Sequence, residues 1–165
     1  MATRVKLETS LGDIVVELFE TEAPKTAANF LSYVKDGFYD GTIFHRIIPG
    51  FVVQGGGMLP GLKPKEGGDP IKNEAAKAPK NLRGSLSMAR TSDPDSATTQ
   101  FFINLVDNRS LDYSGAANAG YAVFAKVVEG MNVVDAMAEK PTTTHFPYQD
   151  VPKADIVLKK ASLIA

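Results

Sequence analysis

The sequence predicts an all-β domain, either a barrel or a sandwich, that carries two α-helices. Apolar residues recur at every second position in many short runs, and only two stretches show the three- and four-residue spacing of a helical face. Gly/Pro-rich segments at 55–70, 91–96 and 114–120 separate these runs. Many short strands with few helices are typical of barrels and sandwiches.

Length, charge and composition restrict the function classes. The 165 residues, of which 44% are apolar and 22% charged, fit one globular domain spanning residues 1–165. The net charge of −1 does not favour a nucleic-acid partner. The absence of cysteine excludes thiol catalysis, disulfides and cysteine-bound zinc. Because the sequence shows no signal-peptide core and no long apolar run, we expect a cytoplasmic protein without a membrane segment.

A hairpin and a helix open the chain. Val5 and Leu7 alternate with polar residues, and the alternation resumes at 14–18 after a Gly-Asp turn, which predicts two antiparallel strands. Over 24–37 the spacing becomes helical, with Pro24 in the first turn and Gly37 after the last. We expect Thr21 or Glu22 to cap this helix. Its inward positions are Ala27, Phe30, Leu31 and Val34.

The rest of the chain reads mainly as strands. They are expected at 42–46, 51–54, 84–89, 99–105, 122–128 and near the end at 156–164. A second short helix is expected after Gly130, with Met131, Val134 and Met137 or Ala138 directed inward. We expect the Gly/Pro-rich segments to be ordered surface loops, because apolar strands resume on both sides of each.

One segment carries a specific motif. Residues 44–57 read FHRIIPGFVVQGGG and closely resemble the signature of the cyclophilins, a family of peptidyl-prolyl cis-trans isomerases. Residues 86–89 and 100–104 resemble the family's later site segments, and 55–61 and 71–75 look like its cytoplasmic bacterial branch. The resemblance covers nearly the whole chain. It implies a closed eight-stranded antiparallel β-barrel capped by two α-helices, with a wall groove that binds Xaa-Pro segments.

The resemblance also implies the residues of that groove. Arg46 matches the arginine that donates to the prolyl nitrogen. Gln54 matches a polar groove residue, which we expect to brace Arg46 and to contact the substrate carbonyl. The matching apolar pocket is formed by Phe51, Phe102 and Leu111, with Val52 on its rim. The remaining substrate-binding positions are Ala89, Arg90, Gln100 and Tyr121.

The reaction itself explains why such residues are needed. Rotation about a peptide bond costs ~18–20 kcal/mol, and no bond has to break. A catalyst must therefore favour the twisted amide over both planar forms. The guanidinium of Arg46 offers a rigid fork of donors that stays charged. We expect a peptidyl-prolyl isomerase for protein folding that uses no cofactor and no metal. The alternative is a proline-peptide binding module or folding chaperone whose turnover is incidental.

Four positions depart from common family residues. Ser110 stands where many members carry an aromatic residue that helps to bind cyclosporin, so we expect weak cyclosporin binding. Val52, Arg90 and Tyr121 replace frequent Met, Asn and His, which leaves the preferred residue before proline open. The expected partners are proline-containing peptides and unfolded or flexible segments, and the protein is expected to be a monomer.

Neither histidine is expected to act in the reaction. His45 is adjacent to Arg46, but isomerisation transfers no proton and strand alternation points the two side chains apart. We expect His45 to be a buried, hydrogen-bonded structural residue. His145 falls in a polar segment expected to be a loop, with no second metal ligand near it in sequence.

Overall fold

The computed structural model describes residues 3–164. Within this range the chain forms thirteen β-strands, two α-helices and one 3-10 helix at Arg109–Leu111. The helices are α1 (Pro24–Lys35) and α2 (Met131–Ala138). The strands are β1 (Arg4–Thr9), β2 (Gly12–Leu18), β3 (Thr42–Ile43), β4 (Arg46–Ile48), β5 (Val52–Gly55), β6 (Met58–Leu59), β7 (Lys63–Pro64), β8 (Ser85–Met88), β9 (Phe101–Asn104), β10 (Val123–Glu129), β11 (Thr142–His145), β12 (Tyr148–Pro152) and β13 (Val157–Ile164).

A curled antiparallel sheet is the main body of the described chain. Its nine strands follow the order β3-β13-β1-β2-β10-β8-β9-β5-β4. The all-β class with two helices is thus confirmed. The strand count differs from the eight expected, because the predicted strand at 42–46 is broken at Phe44 and His45. Its two parts, β3 and β4, lie at opposite ends of the strand order.

The predicted hairpin is confirmed in its register. Val5 pairs with Val16 and Leu7 with Ile14, and all four side chains are fully buried. Gly12, the first residue of β2 after the turn, has a φ of +135°, and a Cβ added there would lie 2.9 Å from a methyl of Val133 in α2. Glycine is therefore required where the turn meets the second helix.

Aromatic side chains fill the interior between the sheet and α1. The Phe30 ring lies 5.3 Å from that of Tyr39, 5.5 Å from Phe101 and 4.9 Å from Phe124, measured between centroids. Such tilted and edge-on pairs add to the stability gained from apolar burial. Burial raises the pKa of Tyr39 well above its ordinary value, and its hydroxyl donates to the carbonyl of Thr99 at 2.8 Å.

The start of α1 differs from the prediction. The N-cap residue is Ala23, which has no side-chain cap, so neither Thr21 nor Glu22 fills that role. The carboxylate of Glu74 instead accepts hydrogen bonds from the backbone amides of Lys25 at 3.3 Å and Thr26 at 2.6 Å. It also accepts from the Thr26 hydroxyl. A residue far along the chain thus satisfies the open amides of the first turn.

The second helix and two segments predicted to be loops also differ in detail from the prediction. Val134 and Met137 of α2 are buried as predicted, while Met131 is only partly buried and Val133 is buried instead. The segment at 55–70 was expected to be all loop, yet it contains the β6–β7 hairpin. His145 lies in β11, which pairs with β12, and that hairpin was not predicted because its strands are polar.

Neither a membrane-spanning helix nor a cluster of metal-binding side chains is found in the described range. No helix between residues 3 and 164 is long and apolar enough to cross a membrane. In the same range, no group of three or more His, Cys, Asp or Glu side chains could hold a metal ion.

Candidate active site

Neighbouring strands at one end of the sheet place the polar side chains of the candidate site. Arg46 of β4 pairs with Gln54 of β5, and Gln54 pairs with Phe102 of β9. Directly paired residues share one face of a sheet. The arginine, the glutamine and the phenylalanine are therefore brought side by side by strand register alone.

A short hydrogen-bond chain connects the polar groups. The Arg46 guanidinium donates through Nη1 to Oε1 of Gln54 at 3.3 Å. Gln54 in turn donates through Nε2 to Oε1 of Gln100 at 2.9 Å. The exposed guanidinium is thus held by a partly buried amide that is itself held by a second amide. Such bracing preorganises a donor before a substrate arrives.

A groove with a volume of about 240 Å³ adjoins this chain. Its volume lies below the roughly 300–1,000 Å³ of pockets for drug-sized ligands, so it suits one side chain of an extended peptide better than a large cofactor. All predicted site residues except Gln100 line it. These are Arg46, Phe51, Val52, Gln54, Ala89, Arg90, Phe102, Leu111 and Tyr121.

Apolar side chains line the same groove as the guanidinium. The rings of Phe102 and Tyr121 meet edge to face with centroids 5.6 Å apart. Phe51 and Leu111 are partly buried and supply further apolar surface. Val52 was expected on the rim, but it is only 2% exposed and lines the groove from a buried position.

A second cleft adjoins the groove and contains the remaining predicted residue. Gln100 lines this cleft together with Gln54, Ala89 and Arg90, which border both cavities. Hydroxyl side chains complete its walls, at Thr91, Ser96 and Thr98. Gln100 therefore contacts the site through Gln54 and does not form part of the groove wall.

Arg90 has a structural role that was not predicted from the sequence: it holds the segment that carries Tyr121. Its guanidinium carbon lies 4.3 Å from the centroid of the Tyr121 ring. Its Nε and Nη2 also donate to the carbonyl of Gly120, at 3.2 and 2.9 Å. This arginine fixes the segment that carries Tyr121, and no pattern in the sequence signals a contact across 30 residues.

His45 is buried, as predicted, and does not line the groove. Burial, and to a smaller extent the charge of Arg46, lowers its pKa to about 4. The imidazole is therefore neutral near pH 7. The expected hydrogen bonding is not met at Nδ1, which has no hydrogen-bond partner among residues 3–164.

The groove lies at one end of the curled β-sheet, and comparisons with known proteins identify the family of the chain. The family model described as "Cyclophilin type peptidyl-prolyl cis-trans isomerase/CLD" matches residues 4–163. A peptidyl-prolyl cis-trans isomerase of Acinetobacter baylyi is 54% identical over 154 residues, covering 93% of this chain and 81% of that protein. Peptidyl-prolyl cis-trans isomerase B of Escherichia coli is 51% identical over 161 residues, covering 96% and 98%.

Solved structures agree with the sequence relatives. A cyclophilin-type isomerase of Cryptosporidium parvum superposes with a TM-score of 0.85 at 30% identity, covering 100% of this chain and 99% of that one. Its structure in the presence of the dipeptide Ala-Pro gives a TM-score of 0.83 at 31% identity, covering 98% and 99%. The chain belongs to the cyclophilin-type peptidyl-prolyl cis-trans isomerases. It is an isomerase of Xaa-Pro peptide bonds, as the sequence predicted.

Proposed function

We propose that the chain accelerates Xaa-Pro rotation in folding and flexible polypeptides by binding the twisted amide in the groove, with Arg46 as donor to the prolyl nitrogen. The observation that carries this proposal is the braced guanidinium beside an apolar groove. Arg46 and Gln54 form the catalytic pair. The proposed substrate-binding residues are Phe51, Val52, Ala89, Arg90, Gln100, Phe102, Leu111 and Tyr121.

The physical reason lies in the twisted state of the amide. When the bond rotates out of plane, the prolyl nitrogen loses conjugation and gains a basic lone pair. A donor that faces this nitrogen binds the twisted amide more strongly than either planar form. Only such differential binding lowers the barrier. Because no proton is transferred, the neutral and buried His45 needs no part in the reaction.

The energies indicate that the arginine does not act alone. An acceleration of about 10⁴ requires about 5.5 kcal/mol of selective stabilisation. One hydrogen bond to a charged group contributes about 1.5–3 kcal/mol. We propose that removal of water around the amide by Phe51, Phe102 and Leu111 supplies the remainder, since water hydrogen-bonds best to the planar, polar form.

The substrate backbone is proposed to lie along the segment at Ala89 and Arg90. The Ala89 amide donates to the carbonyl of Gln100 at 3.0 Å. Because the Ala89 amide is already bonded, we propose that the Ala89 carbonyl oxygen accepts the hydrogen bond from the substrate. Strand-like pairing of this kind depends little on the substrate's side chains.

Exchange spectroscopy tests the enzymatic proposal against a binding module with incidental turnover. A short Xaa-Pro peptide is mixed with wild type or with Arg46→Ala, and the cis-to-trans exchange rate and the peptide Kd are measured together. We expect Arg46→Ala to lose turnover while Kd changes little, because the apolar walls remain. Equal exchange in both samples would favour the binding module or chaperone.

Binding partners beyond Xaa-Pro peptides remain proposals. We propose weak cyclosporin binding, because Ser110 is exposed and small and offers no aromatic edge. We propose a monomer without nucleic-acid or membrane partners, which sedimentation and binding assays can check. A cytoplasmic location is proposed, to be tested by cell fractionation.

We propose that the curled sheet closes into a barrel. β3 and β4 end the strand order but are only two residues apart in sequence, with Phe44 and His45 between them. Counted as one bent strand over 42–48, they would close an eight-stranded barrel. We propose that residues 1–165 form this single barrel domain, and slow hydrogen exchange of the β3 and β4 amides would support closure.

A further inference from the structure

A cluster of buried polar side chains lies behind the groove and has no part in the chemistry described so far. Asn81 is 1% exposed, Ser87 and Asn104 are fully buried, Asn108 is 7% exposed and Asp112 is 9% exposed. Buried polar groups are costly unless they are hydrogen-bonded. What the cluster binds therefore indicates why it is there.

Asn81 binds directly to the backbone of two groove walls. Its side-chain Nδ2 lies 3.1 Å from the carbonyl oxygen of Leu111 and 3.3 Å from that of Tyr121. The Tyr121 amide donates to the same Leu111 carbonyl at 2.9 Å. The two wall residues are thus joined to each other and to one buried amide.

The rest of Asn81 is held by the cluster. Its Oδ1 accepts from the Ser87 hydroxyl at 2.5 Å and from Nδ2 of Asn104 at 3.2 Å. Its backbone amide donates to Oδ1 of Asp112 at 2.7 Å, and Nδ2 contacts the same oxygen at 3.1 Å. With every polar group of the side chain in use, the amide has little freedom to turn.

The cluster also reaches the other two apolar walls. Asn108 donates through its backbone amide to the Asn81 carbonyl at 2.8 Å and through Nδ2 to the Phe51 carbonyl at 3.0 Å. Ser87 is the direct partner of Phe102 in the β8–β9 register. All four apolar walls are therefore connected to the cluster through backbone contacts or strand pairing.

The Leu111 wall depends most on these bonds. Leu111 ends a three-residue 3-10 helix in which no residue is buried. Its side chain is only partly buried, so hydrogen bonds from its surroundings contribute to holding it in place. Asn81 provides the side-chain bond to the Leu111 carbonyl.

We infer that Asn81 is a positioning residue for the isomerase: it sets the distance between the Leu111 and Tyr121 walls and thereby fits the groove to a proline ring in the twisted amide. The inference rests on the proposed function, since it concerns the same groove. A misplacement of about 1 Å by a residue remote from the chemistry can cost on the order of 10²-fold in rate. We expect a loss of roughly tenfold for a partial loosening.

The test uses Asn81→Ser, whose hydroxyl is too short to reach the Leu111 and Tyr121 carbonyls. Turnover and Kd for an Xaa-Pro peptide are measured by exchange spectroscopy well below the thermal midpoint, and NMR records the Leu111 methyl and Tyr121 ring shifts. We expect roughly tenfold slower turnover with moved shifts. Val134→Ala in α2 is the control for lost stability, with wild-type turnover and shifts. Turnover of Asn81→Ser within twofold of wild type would overturn the inference.

A charge swap separates positioning from simple loss of stability. Asn81→Asp places a second carboxylate against Asp112 and replaces the amide donor by an oxygen that repels the Leu111 and Tyr121 carbonyls. Adding Asp112→Asn restores the contact between positions 81 and 112, but not the bonds to the Leu111 and Tyr121 carbonyls. We expect the double variant to regain part of the thermal midpoint, through the repaired contact with position 112, while turnover stays roughly tenfold low. If turnover recovers in step with the midpoint, Asn81 serves stability alone and the inference fails.

The proposed function can fail independently in the same set of samples. If Arg46→Ala leaves turnover unchanged, the donor mechanism is refuted, whichever result Asn81→Ser gives. Loss of turnover in Arg46→Ala together with unimpaired Asn81→Ser would refute only the inference about the cluster.

Discussion

The contact between Arg46 and Gln54 leads to a quantitative prediction about how the donor is held. The bond is long, at 3.3 Å, and the guanidinium is exposed, so we assign it about 1 kcal/mol, the upper end for exposed charged contacts. Gln54→Ala should then lower kcat/KM about fivefold. Arg46→Ala removes the charged donor itself and should lower kcat/KM roughly 10- to 150-fold, corresponding to about 1.5–3 kcal/mol.

The double variant makes the prediction specific. If Gln54 acts by bracing Arg46, its removal should cost little once the guanidinium is gone, so the two losses should not add. Exchange spectroscopy at saturating and subsaturating Xaa-Pro peptide measures kcat and kcat/KM for the wild type, both single variants and the pair. Thermal midpoints of all four should agree closely, since both side chains lie at the surface of the groove.

Matched substitutions outside the groove serve as controls. Arg4 lies in an exposed ion pair with Glu17 at 3.5 Å, and Gln149 is an exposed residue of β12. Arg4→Ala and Gln149→Ala should leave turnover unchanged. A full fivefold loss from Gln54→Ala in the Arg46→Ala background would refute the bracing argument and indicate that the glutamine acts on the substrate directly.

Four further expectations concern the pH dependence of stability and of turnover, the cap of α1, and inhibitor binding. Because the His45 pKa is lowered to about 4, the unfolded chain binds more protons between pH 6.5 and 4, so stability falls on acidification. Between pH 7 and pH 5 the protonation of His45 should lower the free energy of unfolding by about 2 kcal/mol. His45→Gln should lack this loss when denaturant unfolding is measured at both pH values. The same pH dependence in wild type and His45→Gln would contradict the lowered pKa of His45. Turnover should stay nearly flat between pH ~6 and ~8, because His45 is already neutral there. Glu74→Ala should lower the free energy of unfolding by about 1–2 kcal/mol in urea titrations through loss of the α1 cap, with Glu129→Ala as an exposed control; equal midpoints would show the cap to be unimportant. Ser110→Trp should strengthen cyclosporin binding in calorimetry, and nanomolar binding by wild type would contradict the proposal for Ser110.

Local patterns predicted those parts of the fold that depend on neighbours in sequence. The hairpin of β1 and β2 follows from alternation across a Gly turn, and α1 follows from the spacing of Ala27, Phe30 and Val34. The β11–β12 hairpin escaped prediction because its strands are mostly polar, so no apolar alternation marks them. Long-range partners escaped too, since no local pattern could show that Glu74 caps a helix begun 50 residues earlier.

The residues of the candidate site were predicted from a motif, whereas the buried Asn81 that holds two of them was not predicted. The register of β4, β5 and β9 places Arg46, Gln54 and Phe102 together, and these residues fall in segments that resemble known cyclophilin motifs. Asn81 lies outside those segments, between a Pro/Lys stretch and a strand. Its role depends on which backbone carbonyls come within reach of its amide after folding, and one-dimensional patterns do not contain that distance.

Because Glu74 caps α1 from a distant segment, the start of the helix becomes fully hydrogen-bonded only after that segment has docked. The first turn of this helix cannot complete its hydrogen bonding until a segment 48 residues further along has been synthesised and has docked. Helix and loop should therefore gain protection from solvent exchange as one cooperative unit. A chain released before that segment emerges would carry a frayed helix start, however strong the helical pattern within the helix itself.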